Sequence, residues 1–251
     1  MRTLIAGALA ALIGIAAVRA EPSDVCAMPN YLLFGDVLLE RVTAAAEKSH
    51  QLKIVVFGTT SSTLPGPNGA REAYPARLEA ALGAQLPGLK IKVISHARPR
   101  QPAAKMLETF DKVLQDEKPN LVIWQTGTFD AMQGIDPKEF LATITDGVEK
   151  LKDAGVDVIL VNMQYNPRTE SMIALDAYAE NMRWVARERH VPLFDRLSIM
   201  RYWNDSGAID LYAATKDMTV AKRVHDCIGR ALATLIIDAG RLNAPERKTA
   251  R

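Results

Sequence analysis

The sequence lacks repeats and linker-like segments, and it has no excess of glycine or proline. The 15 glycines and 13 prolines among 251 residues exclude collagen-like, low-complexity and disordered chains. Since 48% of the residues are hydrophobic and 24% are charged, the composition is that of a globular protein. We therefore expect one domain with a complete core over residues 21–240, followed by a polar tail over residues 241–251.

A hydrophobic run long enough to cross a bilayer is also lacking. The apolar run that begins at Leu4 has fifteen residues, whereas a spanning helix needs about 20. Arg2 precedes the run, and Val18-Arg19-Ala20 places small residues at the two positions that a signal peptidase reads. This segment is therefore predicted to be a cleaved signal peptide rather than a membrane anchor, and the mature protein to be exported, either periplasmic or secreted.

An imbalance of charge is absent as well. The full chain has 31 basic and 29 acidic residues, and cleavage of the signal peptide, residues 1–20, removes the basic residues Arg2 and Arg19. The mature chain then has no formal net charge, so nothing in it attracts nucleic acid. We expect a small-molecule partner, no nucleic acid and no stable membrane span, and the sequence does not define an oligomeric state.

The sequence has only two cysteines, Cys26 and Cys227. Both remain after cleavage, and a pair of thiols in an exported protein tends to oxidise. One prediction is therefore a disulfide that joins the new N-terminus to the last helix. The alternative is two unrelated buried thiols.

Apolar runs alternate with amphipathic stretches along the chain. Continuous apolar runs are typical of strands that are buried on both faces, and periodic stretches are typical of helices that cover a sheet. The alternation predicts a three-layer α/β/α fold with a five-stranded parallel sheet. The predicted strands are residues 53–58, 89–95, 120–125, 156–163 and 191–194, and the predicted helices are residues 31–48, 74–86, 102–117, 137–155, 172–188 and 220–240.

Ligands of such sheets lie beyond the carboxyl ends of the strands, so we expect the chemistry there. This rule selects residues 58–66, 95–101, 126–132, 162–168 and 204–219, the last leading to His225. Five hydroxyl residues occupy the first of these segments directly after a buried strand. They are Thr59, Thr60, Ser61, Ser62 and Thr63.

A hydroxyl on a tight turn after a strand can act as a nucleophile, with backbone N–H groups nearby for an oxyanion. The alternative for these residues is ordinary turn formation and capping. His225 is the candidate base, because it lies on a late helix that reaches the rim of the sheet, whereas His50, His96 and His190 lie at helix ends or in a loop. The alternative for His225 is a partly buried structural histidine.

Three motifs together resemble the SGNH/GDSL hydrolase family. VVFGTTSSTLPG followed by AYPARLEAAL resembles the first block, in which the nucleophilic serine follows the first strand. LVIWQTGTFDAM and VHDCIGRALATLI resemble the third block and the last block, which contains the catalytic histidine. The blocks cover most of residues 53–237 in the family's order, and the resemblance implies a flavodoxin-like SGNH hydrolase fold.

The resemblance also implies an exported serine esterase, an acyl or acetyl ester hydrolase that acts through an acyl-serine intermediate. Ser61 matches the nucleophile, and Thr60 matches it instead when the alignment starts from Gly58. His225 matches the general base. The family uses no metal and no organic cofactor, and the implied substrate is small and acylated, with a glycan as one candidate carrier of the acyl group.

The sequence departs from the family at the catalytic acid. Lys222 stands where the family has an Asp three residues before the histidine. Asp217 is the first candidate replacement, provided that the chain bends between it and the histidine. Asp210 and Asp226 are further candidates, and a serine–histidine dyad without an acid is the alternative.

The oxyanion hole departs from the family as well, since the second block has no glycine and Phe129 stands where the family has Asn. Polar residues near the strand ends are therefore candidate oxyanion-binding or substrate-binding groups, with ordinary loop hydrogen bonding as the alternative. They are Ser62, Thr60, Gln125, Thr128, Asn162 and Gln164. A cationic mouth is also a candidate, with solvated surface as its alternative, and would consist of Arg98, Arg100 and Arg168.

These departures leave two further functions open. One is a catalytically degenerate protein of the same fold that binds a glycan or another acylated ligand without turnover. The other is an O-acyltransferase, in which a sugar hydroxyl takes the place of water at the acyl-serine.

Overall fold

Five parallel strands form a sheet at the centre of the computed structural model, which describes residues 24–33, 37–212 and 218–242. The strands are β1 (Gln51–Gly58), β2 (Lys90–Ala97), β3 (Leu121–Gln125), β4 (Asp157–Val161) and β5 (Leu193–Phe194). Their order is β2-β1-β3-β4-β5, and the four strand pairings are parallel. This is the order of flavodoxin-like folds, and it confirms the predicted sheet.

The burial of each strand follows from its place in the sheet. Every residue of the central strand β3 is buried, and β1 is buried continuously from Ile54 to Gly58. The edge strand β2 is exposed or half-buried throughout, since one of its edges has no neighbouring strand. The apolar runs in the sequence therefore mark the strands that are covered on both faces.

Helices cover both faces of the sheet and confirm the three-layer architecture. Helix α11 packs on α3, and α7 packs on α4 and α9. Right-handed crossovers place these two groups of helices on opposite faces of the sheet. No helix of the described residues is long and apolar enough to span a membrane. The helices are α1 (Glu40–Ser49), α2 (Gly69–Glu72), α3 (Tyr74–Gln85), α4 (Ala103–Leu107), α5 (Phe110–Glu117), α6 (Thr128–Gln133), α7 (Pro137–Asp153), α8 (Pro167–Glu170), α9 (Asp176–Glu188), α10 (Arg196–Asp205) and α11 (Thr219–Ala239).

Two predicted helices are divided or replaced in the structure, and the helix predicted over residues 172–188 begins only at Asp176. The predicted helix over residues 102–117 is divided into α4 and α5, and the Thr109 hydroxyl donates a hydrogen bond to the carbonyl of Met106 where α4 ends. A side-chain hydroxyl that binds the local backbone in this way competes with the helical pattern. The predicted helix over residues 31–48 is replaced by a 3₁₀ turn at Asn30–Leu32 and by α1.

Helix α10 is absent from the predicted elements, and it has a clear start signal. The Asp195 carboxylate accepts a hydrogen bond from the backbone N–H of Ser198 at 3.1 Å, which is the usual N-cap contact. The sequence rule applied to the last strand selected residues 204–219, so it passed over the turn directly after β5. This turn places Arg196 at the rim of the sheet.

The N-terminal segment is attached to α11 by a disulfide between Cys26 and Cys227, whose Cα atoms are 5.1 Å apart. This confirms the predicted pairing and excludes two independent thiols. Arg230, on the same helix, pairs with Asp24 at 3.2 Å. The predicted signal peptide lies outside the described residues, as does the predicted tail after residue 242.

Reduction of the disulfide is expected to lower the free energy of unfolding by about 2–5 kcal/mol, because the bond closes a long loop in the unfolded chain. Urea unfolding with and without reductant measures this loss. The double variant Cys26→Ser/Cys227→Ser is the control, and its stability should not respond to reductant. Two titratable thiols in unreduced, unfolded protein would contradict the pairing.

Gly147 of α7 lies against the ring of Trp124, and a Cβ at this glycine would come within 2.3 Å of the ring. We expect Gly147→Ala to destabilise the protein by about 1–3 kcal/mol, because the buried ring has no room to move. Gly83→Ala on α3 is the matched control, since a Cβ there has nothing within 4 Å. Equal unfolding free energies for the two variants in urea would show that the helix does not press on the ring.

Candidate active site

The side chain of Gln125, the last residue of β3, organises the hydroxyl-rich turn that follows β1. Its Oε1 accepts hydrogen bonds from the backbone N–H of Thr59 at 3.0 Å and from the hydroxyls of Ser62 at 2.8 Å and Ser61 at 3.3 Å. A backbone N–H can only donate, so this contact fixes which end of the amide faces the turn. The hydroxyl run therefore forms a network with β3.

This network requires a glycine at the end of β1. A Cβ on Gly58 would lie 2.2 Å from the Oγ of Ser62, which is less than any real contact. Ser62 is buried, and its hydroxyl also lies 3.0 Å from the hydroxyl of Tyr74. Ser62 therefore connects β3 to α3 inside the protein and does not line the cavity described below.

Arg196, the first residue of α10, contacts Ser61 from the interior. Its Nη2 donates to the Ser61 hydroxyl oxygen at 2.9 Å, and its Nη1 donates to the Ser61 carbonyl at 3.3 Å. The residue is fully buried, and burial lowers the pKa of its guanidinium to about 10, so the group remains charged at neutral pH. Because arginine has no acceptor, the Ser61 oxygen is the acceptor in this bond.

Asn162 and Asp195 hold the start of α10 in place. The Asn162 amide donates to Asp195 at 2.7 Å and accepts from the backbone N–H of Leu197 at 3.0 Å. Arg183 donates to the other oxygen of Asp195 at 2.8 Å. Asn162 is fully buried, so its polar atoms position Arg196 and do not face the cavity.

His225 of α11 binds the first turn of α3. Its Nδ1 accepts a hydrogen bond from the backbone N–H of Tyr74 at 2.9 Å, and thereby satisfies one of the donors that a helix leaves unpaired at its start. The neutral imidazole then carries its hydrogen on Nε2, because one ring nitrogen of a neutral histidine donates while the other accepts. Burial, with a smaller contribution from the charge of Arg196, lowers the pKa of His225 to about 3.

This tautomer bears directly on the predicted role of His225. A general base that takes the serine proton at Nε2 needs its hydrogen on Nδ1, held there by an acceptor. In the structure Nδ1 faces a donor, so Nε2 can donate but cannot accept. The serine–histidine pair stays a prediction, and it requires the ring to exchange the roles of its two nitrogens.

A cavity of about 610 Å³ opens at the carboxyl ends of the strands. The structure brings Thr60, Ser61, Thr128, Gln164 and His225 together in its wall. Gln125, Asn162 and Ser62, which were predicted to bind the oxyanion or substrate, do not line it. The apolar part of the wall consists of Leu64, Pro65, Phe129, Met132, Met200, Leu211, Met218, Val220, Ala221 and Val224.

Of the three candidate catalytic acids, the two that lie within the described residues do not line the cavity. Asp217 lies outside the described residues. Asp226 forms an ion pair with Arg230 at 3.2 Å and lies beside the disulfide, and Asp210 accepts a hydrogen bond from the backbone N–H of Tyr212 at 2.9 Å. Within the described residues, neither carboxylate is hydrogen-bonded to His225, whose Nδ1 binds the N–H of Tyr74.

The cavity wall contains a cationic side chain but no acidic one among the described residues. Of the three arginines of the predicted cationic mouth, Arg100 lines the cavity, while Arg98 and Arg168 are exposed outside its wall. The wall residues within the described chain include no Asp or Glu. The described residues also contain no group of three His, Cys, Asp or Glu side chains arranged to hold a metal ion.

Arg196 and Tyr74 contact the predicted residues Ser61 and His225 but are not among the predicted site residues. Arg196 carried a signal, since it follows the last predicted strand by two residues. The backbone N–H of Tyr74 carried none, because its contact with His225 depends on how α3 packs against α11.

A flavodoxin-like sheet with hydroxyl and imidazole groups at its carboxyl rim defines a protein of the SGNH hydrolase class of folds. More particularly, the chain belongs to the Non-GDSL lipase-like family, whose sequence profile matches residues 25–242. A comparison with curated proteins finds no significant match.

Solved structures with the same fold include a protein of the G-D-S-L family from Desulfitobacterium hafniense, with a TM-score of 0.56 and 18% identity over 73% of this chain and 98% of that one. A catalytic mutant of an acetylxylan esterase from Geobacillus stearothermophilus has a TM-score of 0.60 and 18% identity over 74% and 94%. A two-domain esterase active on acetylated mannans has a TM-score of 0.66 and 15% identity over 86% and 57%. At these identities the likeness establishes the fold.

The depressed pKa of His225 predicts a dependence of stability on pH. The unfolded chain binds a proton at His225 below about pH 6.5, whereas the folded protein does not until about pH 3. His225 therefore lowers stability as the pH falls through this window, by at most about 1.4 kcal/mol per pH unit, and it has no such effect above pH 6.5.

We expect His225→Gln to flatten this part of the stability profile, because a glutamine oxygen can accept from Tyr74 without titrating. Urea unfolding at pH 7, 6, 5 and 4 measures the profile. His50→Asn is the control, since His50 is exposed and has a left-handed φ of 49° that asparagine tolerates. If the stability of His225→Gln depends on pH in the same way as that of the wild type, His225 is not held neutral in the folded protein.

Proposed function

We propose that this protein binds a small acylated ligand in the cavity at the rim of its sheet, and that it does so without turnover through a serine–histidine pair. The observation that carries the proposal is the hydrogen bond from the Tyr74 N–H to Nδ1 of His225. This hydrogen bond leaves a hydrogen on Nε2 of His225, where ester hydrolysis through a serine–histidine pair needs a nitrogen that acts as a base. The missing family acid at Lys222 and the missing asparagine at Phe129 support the same conclusion.

The hydroxyl of Ser61 supports it as well. Its oxygen accepts from Arg196, and its hydrogen has the buried Gln125 oxygen as an acceptor. Neither partner is a base that removes the proton, because a guanidinium stays protonated and an amide oxygen is very weakly basic. Ser61 is thus suited to recognise a ligand oxygen.

The shape and lining of the cavity support an acylated ligand. The wall contains hydroxyl and imidazole groups together with apolar side chains such as Leu64, Met200 and Leu211, which fit an acyl chain. Membership of a lipase-like family favours the same ligand class. The similarity in fold to esterases of acetylated xylan and mannan favours a glycan as one carrier of the acyl group.

Ester hydrolysis is the second candidate function. Family membership supports it, and so does the contact of the Arg196 guanidinium with Ser61, since a nearby cation stabilises an alkoxide. This candidate needs the imidazole of His225 in its other tautomer, or a different base, with Ser61 or Thr60 as the nucleophile. An acyl group on Ser61 would then pass to water or, in an O-acyltransferase, to a sugar hydroxyl.

Export is part of the proposal. The cysteine pair is joined in the structure, and stable disulfides are typical of periplasmic and secreted proteins. The predicted signal peptide at residues 1–20 is consistent with this location. N-terminal sequencing of protein purified from the cell envelope or the medium locates the cleavage site.

Two measurements on purified protein separate the two candidates. N-octanoylglucosamine, an acylated sugar with a stable amide, is expected to raise the melting temperature of the wild type, because a ligand that binds only the folded state stabilises it. A fluorophosphonate probe and a short-chain nitrophenyl ester are expected to give no more labelling or turnover than with Ser61→Ala.

Thr63→Ala serves as the control, since Thr63 lines the cavity but its hydroxyl binds the carbonyl of Thr60. Labelling and turnover that persist in this control and disappear in Ser61→Ala and His225→Gln would establish hydrolysis and overturn the proposal. Dependence on Thr60 rather than Ser61 would establish hydrolysis with the other nucleophile.

A further inference from the structure

Arg196 is a fully buried cation that has no acidic partner among the described residues. No Asp or Glu of this part of the chain forms an ion pair with it, and its Nε has no hydrogen-bond partner there. An unpaired charge in the interior is unfavourable, and arginine does not relieve it by losing its proton. The position therefore favours a negative charge supplied from the cavity.

Ser61 connects this buried charge to the cavity. Its hydroxyl oxygen accepts from the guanidinium at 2.9 Å, and the residue itself forms part of the cavity wall. A hydroxyl that accepts from a cation becomes a stronger donor. When its hydrogen turns from Gln125 to a ligand, Ser61 transmits the charge of Arg196 to that ligand.

His225 adds a second donor in the same wall. Since its Nδ1 accepts from Tyr74, Nε2 carries a hydrogen and the ring is neutral. The guanidinium of Arg100 is a third donor at the cavity, and no carboxylate of the described residues lines it. Ser61, His225 and Arg100 can thus donate to a ligand, and no carboxylate in the described part of the wall competes with that ligand for them.

We infer that the ligand of this cavity carries an anionic oxygen head group, held by the Ser61 hydroxyl with Arg196 behind it and by the Nε2–H of His225. The apolar wall receives the chain attached to that head group. This inference rests on the proposed function, because it specifies the charge of the ligand that the cavity binds.

The test compares three probes with the same eight-carbon chain: octanoate, octanamide and octyltrimethylammonium. Calorimetric titration of the purified wild type at pH 7.5 is expected to show octanoate binding at least about tenfold more tightly than octanamide, with no binding of the cation. In Arg196→Met, octanoate and octanamide are expected to bind equally, while Arg98→Gln, an exposed control, keeps the wild-type preference.

Ser61→Ala provides the same comparison. It removes a single oxygen atom, which is a much smaller change than Arg196→Met, so the test does not depend on whether the Arg196 variant folds. It is expected to reduce the preference for octanoate by at least about fivefold. Equal binding of octanoate and octanamide to the wild type, or an undiminished preference in both variants, would overturn the inference.

The outcomes also separate this inference from the proposed function. If octanamide and N-octanoylglucosamine bind and octanoate is not preferred, the cavity is a receptor for neutral acyl ligands and only the inference fails. If none of the four probes binds, the proposed function and the inference both fail. Binding of octanoate with turnover of the nitrophenyl ester would retain the inference and overturn the proposal of binding without turnover.

Discussion

The hydrogen bond from the backbone of Tyr74 to Nδ1 of His225 sets the tautomer of the imidazole at the rim of the sheet, and the proposed function depends on that tautomer. This hydrogen bond exists because α3 and α11 pack very closely. A Cβ on Gly229 would lie 2.6 Å from Cβ of Arg77 and 2.8 Å from the backbone nitrogen of Leu78, so the approach of the two helices needs glycine there. Helix packing thus selects the tautomer of the imidazole, and the tautomer determines whether the cavity holds a base or a donor.

Gln125 has a comparable role for the hydroxyl-rich turn after β1. One amide oxygen at the end of β3 gathers a backbone N–H and several hydroxyls from the turn after β1. This explains why so many hydroxyl residues follow one strand. Most of their hydrogen bonds serve to fix the turn, and all of them except Ser62 also line the cavity.

The sheet was predictable from sequence because burial on both faces of a parallel strand leaves a continuous apolar run, as in β1 and β3. The segments at the rim of the sheet were predictable as well, because they come directly after the carboxyl ends of the strands. The contacts of Arg196 and the orientation of His225 were not predictable, since each depends on elements distant in the chain. Arg196 lies 135 residues from Ser61, and Tyr74 lies 151 residues from His225, and no local pattern encodes such distances.

The apolar wall of the cavity includes three methionines, Met132, Met200 and Met218. Thioether side chains are flexible and polarizable, so such a wall adapts to chains of different shape. Met132 is exposed, so its sulfur is open to oxidation, and a sulfoxide there would place a polar group in the apolar part of the wall. A bound acyl chain of the proposed kind would cover this sulfur, so occupancy of the cavity would also protect its apolar lining.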